Sequence, residues 1–128
     1  KGVNKIIVLS HSVYGVDQRV AADTTGVDVI VGGHSNTFLS NISDRAEGPY
    51  PTMVGNTAIV SAYAYGKLLG ELTVLFDKAG GVVSAAGEPL IIDAGVDEDA
   101  QTVRRIAKAS APLEKQYVKR LWPMSGLR

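Results

Sequence analysis

The residues best suited to chemistry are the only two histidines, His11 and His34, together with Asn36, two positions after His34. Imidazole nitrogen and amide oxygen are both accepted by divalent metal ions. Gly32 and Gly33 directly precede His34, and glycine lets a backbone approach an ion or a phosphate closely. The set carries no negative charge, so it would hold a hydrolytic metal poorly without carboxylates. We therefore expect a metal site here that is incomplete.

Two short apolar runs must position the histidines. Lys5–Ser10 and Val27–Val31 are rich in β-branched residues, which is typical of strands buried on both faces of an α/β sheet. Tyr14–Thr24 between them is predicted as a short amphipathic helix that Gly26 ends. Strand, helix and strand within about 30 residues form a βαβ unit with parallel strands.

Ligands gather outside the carboxyl ends of parallel strands, and each histidine follows one of the two predicted strands. Both imidazoles should therefore converge on one rim of the sheet. The alternative that each histidine merely caps its strand with a hydrogen bond stays open. Asp28 lies inside the second strand among apolar neighbours, which disfavours it as a ligand.

The rest of the chain favours antiparallel strands followed by a helix. Leu39–Pro51 is polar and contains prolines, so it is predicted as a loop. Asp97–Leu121 has helical spacing of its apolar residues, although Pro112 would kink or split that helix. Trp122–Gly126 is predicted as a linker or frayed end. The strand-like runs and their hairpin turn are Ala58–Tyr63, Leu68–Phe76, Asp77–Gly81 (the turn), Val82–Ala86 and Pro89–Asp93.

Composition excludes several classes of function. The 128 residues carry 13 Lys and Arg against 13 Asp and Glu, so the net charge is zero. This balance gives no indication of a nucleic-acid partner. The absence of cysteine excludes disulfides, thiolate metal sites and a cysteine nucleophile. No apolar run reaches the roughly 18 residues of a membrane span. Because the chain begins at Lys1 rather than Met, we expect that a signal was removed or that it was cut from a longer protein.

Two segments carry a resemblance to a known family. Val8–Asp17 (VLSHSVYGVD) and Gly26–Leu39 (GVDVIVGGHSNTFL) resemble the later motifs of the 5′-nucleotidase family of calcineurin-like metallophosphoesterases, and the similarity continues through Ala62–Leu72. The resemblance implies an α/β fold, the C-terminal half of a two-sheet sandwich flanked by helices. Residues 1–95 would then be part of the metallophosphoesterase domain, and residues 96–128 a linker helix toward an absent C-terminal nucleotide-binding domain.

The resemblance also implies a function. His11 and His34 would be ligands of one metal ion, and Asn36 would face a second. The family uses two divalent ions, most often zinc with manganese as the other candidate, and they activate a water for attack on a phosphoryl group. The implied activity is hydrolysis of nucleotides, above all removal of the 5′-phosphate of nucleoside monophosphates. The implied location is periplasmic, secreted or at the cell surface.

Three departures from the family pattern leave other functions open. The family's Asp-x-His, Gly-Asp and Gly-Asn-His motifs, which supply the metal carboxylates, are missing and would lie before Lys1. The nucleoside-binding domain is missing, and Val13 replaces a usual glycine, so the local loop should differ. We expect the chain alone to be inactive and to associate with a second copy or with the missing half. The alternatives are a non-catalytic fragment or binding module that takes a metal weakly, and a structural domain with incidental histidines.

Overall fold

The computed structural model describes residues 2–121, with side chains as far as Glu114. The chain divides into two compact units, one ending at Asp93 and the other beginning at Ala94. The elements of the first unit are β1 (Ile7–Leu9), α1 (Tyr14–Asp23), β2 (Val29–Val31), β3 (Thr52–Val54), β4 (Thr57–Val60), β5 (Leu68–Phe76) and β6 (Val82–Ile91). The second unit contains α2 (Ala100–Leu121).

A four-stranded sheet in the order β1-β2-β4-β3 carries the two histidine turns. β1, β2 and β4 run parallel, and β3 is antiparallel to β4. Ile7 pairs with Val29, and Leu9 pairs with Val31. The predicted βαβ unit with parallel strands is therefore confirmed, and the carboxyl ends of β1 and β2 lie at the same rim.

The core lies where α1 packs on the two central strands. Ile30 of β2 and Ile59 of β4 are both 0% exposed and contact Ala21 of α1. Burying one such side chain stabilises the fold by about 1.5–3 kcal/mol. Every residue of β4 is buried: Ile59 packs in the cluster on the α1 side, and Val60 packs in a second cluster with Leu39 and Tyr50. The sheet that aligns the rim is therefore anchored at its centre.

The outer strand β1 differs from the prediction. Its apolar run indicated burial on both faces, which is wrong, because Ile7 is 61% exposed and Leu9 is 81% exposed. β1 lies at the edge of the sheet, and the face that carries these two side chains is largely open. A β-branched run identifies a strand but does not reveal whether the strand is central or at the edge.

The antiparallel half consists of a separate hairpin, β5-β6. The bounds of β5 are those predicted, and the turn at Asp77–Gly81 is confirmed: Asp77 Oδ1 accepts hydrogen bonds from the amides of Ala79 and Gly81, each at 2.8 Å. β6 is one continuous strand where two segments were predicted. β3 was not predicted, because three residues after a proline-rich loop carry too little pattern.

The predicted loop over residues 39–51 contains no helix or strand, but it is packed against the rest of its unit. Leu39 and Tyr50 are buried and form a second apolar cluster with Val60 of β4. Glu88 of β6 accepts hydrogen bonds from the hydroxyl of Ser40 and from the amide of Asn41. The hairpin and the loop are thereby joined by one carboxylate.

The helix α2 is a single element that continues through Pro112, so of the two predicted effects of Pro112, a kink or a split, the split is wrong. Its first turn is stabilised by Asp99, whose carboxylate accepts a hydrogen bond from the amide of Thr102 at 2.7 Å. The Thr102 side chain first, and then this amide, lower the pKa of Asp99 by hydrogen bonding to its carboxylate. None of the described helices combines the length and the apolar composition of a membrane span. The predicted linker at Trp122–Gly126 lies outside the described residues.

Candidate metal centre

The two histidine side chains meet at the rim formed by β1 and β2. His11 follows β1 by two residues, and His34 follows β2 by three. His34 Nδ1 lies 3.2 Å from His11 Nε2, and the ring centroids are 4.9 Å apart with an interplanar angle of 75°. Both side chains are exposed. The expected convergence of the imidazoles on one rim is therefore met.

The spacing of the two ring nitrogens suits a shared ion. Two ligands of one tetrahedral zinc, each bound at about 2.0–2.1 Å, lie about 3.3 Å apart. The observed separation of His11 Nε2 and His34 Nδ1 is 3.2 Å. In this pair one ring nitrogen donates a proton and the other accepts it. A metal ion bound by both nitrogens would therefore displace that proton.

The backbone of the second turn is held in a conformation that few residues adopt. His34 has a φ of 65° and Asn36 a φ of 53°, in the left-handed region where histidine and asparagine are enriched among non-glycine residues. A Cβ at Gly33 would lie 3.2 Å from the carbonyl oxygen of Ser10 and 3.5 Å from His11 Nδ1. The two turns are thus in direct contact, and glycine at position 33 permits that approach.

Asn36 occupies the same turn but is not joined to the imidazole pair. Its side chain is exposed and makes no hydrogen bond within the described part of the chain. Asn36 is two positions after His34 in the sequence, and its backbone is in the left-handed region. Its amide is therefore accessible to a ligand at the rim.

The described residues do not complete a metal site. Among them, no group of three or more His, Cys, Asp or Glu side chains could hold an ion. Asp28 lies at the opposite end of β2, where its carboxylate accepts a hydrogen bond from the amide of Ile6 at 2.7 Å.

Val13 fits its position without strain. It precedes α1 with a φ of −77° and a ψ of 150°, an extended conformation that valine adopts freely. The glycine usual at this position in the family is therefore not required for the backbone of this turn.

An aromatic cluster follows the third parallel strand and was not predicted. The sequence had indicated that Tyr63 and Tyr65 alternate in a strand, which is wrong. Both come after β4, and their φ values are 63° and 61°. Lys67 Nζ lies 5.6 Å and 5.9 Å from the centroids of the two tyrosine rings, and the ring of Phe38 lies 5.8 Å from that of Tyr63. A run of alternating tyrosines gives no sign of a left-handed backbone.

Comparison with known proteins shows which proteins this chain resembles. No protein-family model matches the chain. The snake venom 5′-nucleotidase of Crotalus adamanteus is 43% identical over 121 residues, which cover 88% of this chain and 21% of that protein. The 5′-nucleotidase of Bos taurus is 40% identical over 128 residues, which cover 93% of this chain and 22% of that protein. The chain is homologous to the 5′-nucleotidases.

Solved structures agree with this homology. The 5′-nucleotidase precursor from Thermus thermophilus is 38% identical with a TM-score of 0.82, covering 89% of this 5′-nucleotidase homologue and 24% of that chain. A calcineurin-like phosphoesterase from Bacillus subtilis has a TM-score of 0.69 at 22% identity, covering 92% of this chain and 40% of that one, and it supports the fold alone. The predicted family resemblance and α/β fold class are confirmed.

This 5′-nucleotidase homologue spans about a fifth of the length of the curated relatives it matches, 21% and 22% for the two above. Those relatives are hydrolases by name.

Proposed function

We propose that this chain contributes part of a two-metal centre in a phosphoesterase that hydrolyses nucleotides, most of all the 5′-phosphate of nucleoside monophosphates. The observation that carries the proposal is the 3.2 Å separation of His11 Nε2 and His34 Nδ1 at the shared rim of two adjacent parallel strands. Homology to 5′-nucleotidases at about 40% identity supports the reaction class.

In this proposal, each residue has a separate role. His11 and His34 hold one divalent ion through the two nitrogens that now share a proton. Asn36, exposed in the same turn, directs its amide toward the second ion or the phosphate. When bound, the ions polarise the phosphoryl group and lower the pKa of a water that attacks it in line. Zinc suits the imidazole ligands, and manganese is the second candidate.

The remaining ligands would come from outside this stretch. By the family resemblance, the metal carboxylates belong to motifs that the 128 residues do not contain. We therefore expect the isolated chain to be inactive and the whole protein to be active. Residues 1–95 would belong to the metallophosphoesterase domain and residues 96–128 to a linker helix, in a periplasmic, secreted or cell-surface protein. A snake venom enzyme among the relatives supports that location.

A non-catalytic binding module is the second candidate. It is favoured by the lack of a third His, Cys, Asp or Glu ligand beside the two imidazoles among the described residues. Calorimetric titration of the full-length protein with zinc, together with an assay of phosphate release, separates the two functions, because weak binding by the inactive isolated chain is expected of both. Weak zinc binding without any phosphate release by the full-length protein would favour the module.

The test of the hydrolase is phosphate release from AMP by the full-length protein, with and without a chelator. We expect release to stop when the metal is removed and to return when zinc or manganese is added. His11→Ala and His34→Gly should each abolish activity. Glycine is chosen at position 34 because the φ of 65° would strain an alanine.

Asn36→Gly should lower activity because it removes the amide proposed to face the second ion or the phosphate. Glycine also tolerates the φ of 53° at this position. Asn56→Gly is the matched control. Asn56 is exposed in the turn between β3 and β4, far along the chain from both histidine turns. Activity that resists the chelator, or that survives both histidine substitutions, would contradict the proposal.

A further inference from the structure

We propose that Asp17 is a positioning residue that holds both histidine turns in the arrangement a metal ion needs. This inference rests on the proposed function. Asp17 lies in α1 behind the rim and is only 2% exposed. A buried carboxylate is costly unless it is hydrogen-bonded, so its contacts indicate why it is there.

The first contact fixes the His11 turn. Ser10 Oγ donates a hydrogen bond to Asp17 Oδ1 at 2.5 Å. The same hydroxyl accepts a hydrogen bond from the amide of Ser12 at 3.2 Å. Ser10 and Ser12 flank His11 on both sides, so the carboxylate orients the backbone from which the imidazole projects.

The second contact reaches the His34 turn. A Cβ at Gly32 would lie 2.7 Å from Asp17 Oδ2, so the backbone of Gly32 packs directly against the other carboxylate oxygen. Gly32 also donates a hydrogen bond to the carbonyl of Val60 in β4 at 2.8 Å. The residue two positions before His34 is therefore held between the helix carboxylate and the neighbouring strand.

The Asp17 carboxylate thus contacts both histidine turns, in which His11 Nε2 and His34 Nδ1 lie 3.2 Å apart. Groups behind metal ligands that orient them typically change metal affinity by about 10–100-fold when they are removed. Asp17 does not itself touch the ion in this account. Its effect on the metal is transmitted through Ser10, Ser12 and Gly32.

The experiment is a titration of the metal-free full-length protein with Co²⁺, followed by the visible absorption of the bound ion. Asp17→Ala should weaken Co²⁺ binding by about 10–100-fold and alter the absorption bands, because the rings lose their fixed arrangement. Asp17→Asn should restore most of the affinity, since its amide oxygen can accept the Ser10 hydrogen bond. Asp23→Ala, at the exposed end of the same helix, should bind Co²⁺ like the unmodified protein.

Ser10→Ala is a milder variant for the case in which Asp17→Ala does not fold. It removes the donor and leaves the carboxylate, and it should weaken Co²⁺ binding in the same direction. Unchanged affinity and absorption in a folded Asp17→Ala or Ser10→Ala protein would overturn the proposal, even if thermal stability falls.

His11→Ala separates this proposal from the function on which it rests. If His11→Ala loses the Co²⁺ spectrum while Asp17→Ala keeps it, Asp17 is only structural and the metal centre stands. If His11→Ala also keeps the spectrum, the proposed metal centre fails and the role of Asp17 fails with it.

Gly32→Ala gives an independent check on the second contact. The added methyl would collide with Asp17 Oδ2, so the substitution should weaken Co²⁺ binding in the presence of Asp17. In the Asp17→Ala background, the same methyl finds room and should add little further loss. Equal losses in both backgrounds would contradict a contact between Asp17 and the His34 turn.

Discussion

His34 and Asn36 hold left-handed backbone conformations, each of which costs on the order of 1–3 kcal/mol for a non-glycine residue. Such conformations persist only where the surroundings enforce them. Here Gly33 contacts the His11 turn and Gly32 packs against Asp17, so the neighbouring turn and helix enforce them together. At the scale of single residues, the rim is a preorganised arrangement and not a flexible loop.

Tyr50 provides a residue-scale prediction about pH. Its pKa is raised from 10.0 by burial first, and then by the negative charges of Glu88 and Glu71. Because the Tyr50 hydroxyl loses its proton at a lower pH in the unfolded chain than in the folded one, its contribution to the free energy of unfolding is complete below about pH 10. It is lost as the pH rises toward the raised value. We expect the urea midpoint to fall above about pH 10, followed together with the ultraviolet absorbance of tyrosinate.

Tyr50→Phe is the control, because phenylalanine keeps the buried ring and has no proton to lose. Its midpoint should fall less steeply with pH than that of the unmodified chain. Identical pH curves for the two proteins would contradict the assignment of the alkaline loss to Tyr50.

At the scale of elements, the β5-β6 hairpin depends on close approach of its two backbones. Gly87 pairs with Leu72, and a Cβ at Gly87 would lie 2.0 Å from the carbonyl oxygen of Glu71. A backbone atom cannot move aside as a side chain can. Gly87→Ala should therefore destabilise the chain by about 1–3 kcal/mol or more, measured by urea unfolding.

Gly15→Ala is the matched control at the element scale. Gly15 lies in α1 with no atom within 4 Å of an added Cβ, so alanine should raise stability by about 0.5–1 kcal/mol. The two substitutions should shift the midpoint in opposite directions. A Gly87→Ala protein as stable as the unmodified chain would show that the hairpin backbones are not in contact there.

The elements also show how far the sequence could predict the structure. The convergence of His11 and His34 was predictable because parallel neighbouring strands bring their carboxyl ends to one rim. The nine-residue strand β5 was predictable from its long apolar run, whereas β3 was not, because it is three residues directly after a proline-containing loop. The role of Asp17 was missed because an acid in a short amphipathic helix has the spacing of a solvated residue, and only the fold buries it.

At the scale of the whole molecule, the open face of β1 predicts association. Ile7 and Leu9 project from the same face of this edge strand and are 61% and 81% exposed. Exposed apolar side chains on an edge strand favour pairing with another chain. We expect the isolated chain to self-associate at micromolar concentrations, as measured by sedimentation equilibrium.

Leu9→Ser should shift the isolated chain toward monomer. Ile42→Ser is the control, because Ile42 is 87% exposed but lies in the loop between β2 and β3, apart from β1 in sequence. A chain that is monomeric at all concentrations would contradict an exposed contact face on β1.

The central claim is that His11 and His34 bind one ion together. Anomalous X-ray diffraction from crystals of the zinc-loaded full-length protein tests it most directly. The account predicts a zinc ion about 2.0–2.1 Å from both His11 Nε2 and His34 Nδ1. Zinc bound elsewhere, with the two imidazoles still hydrogen-bonded to each other, would contradict it.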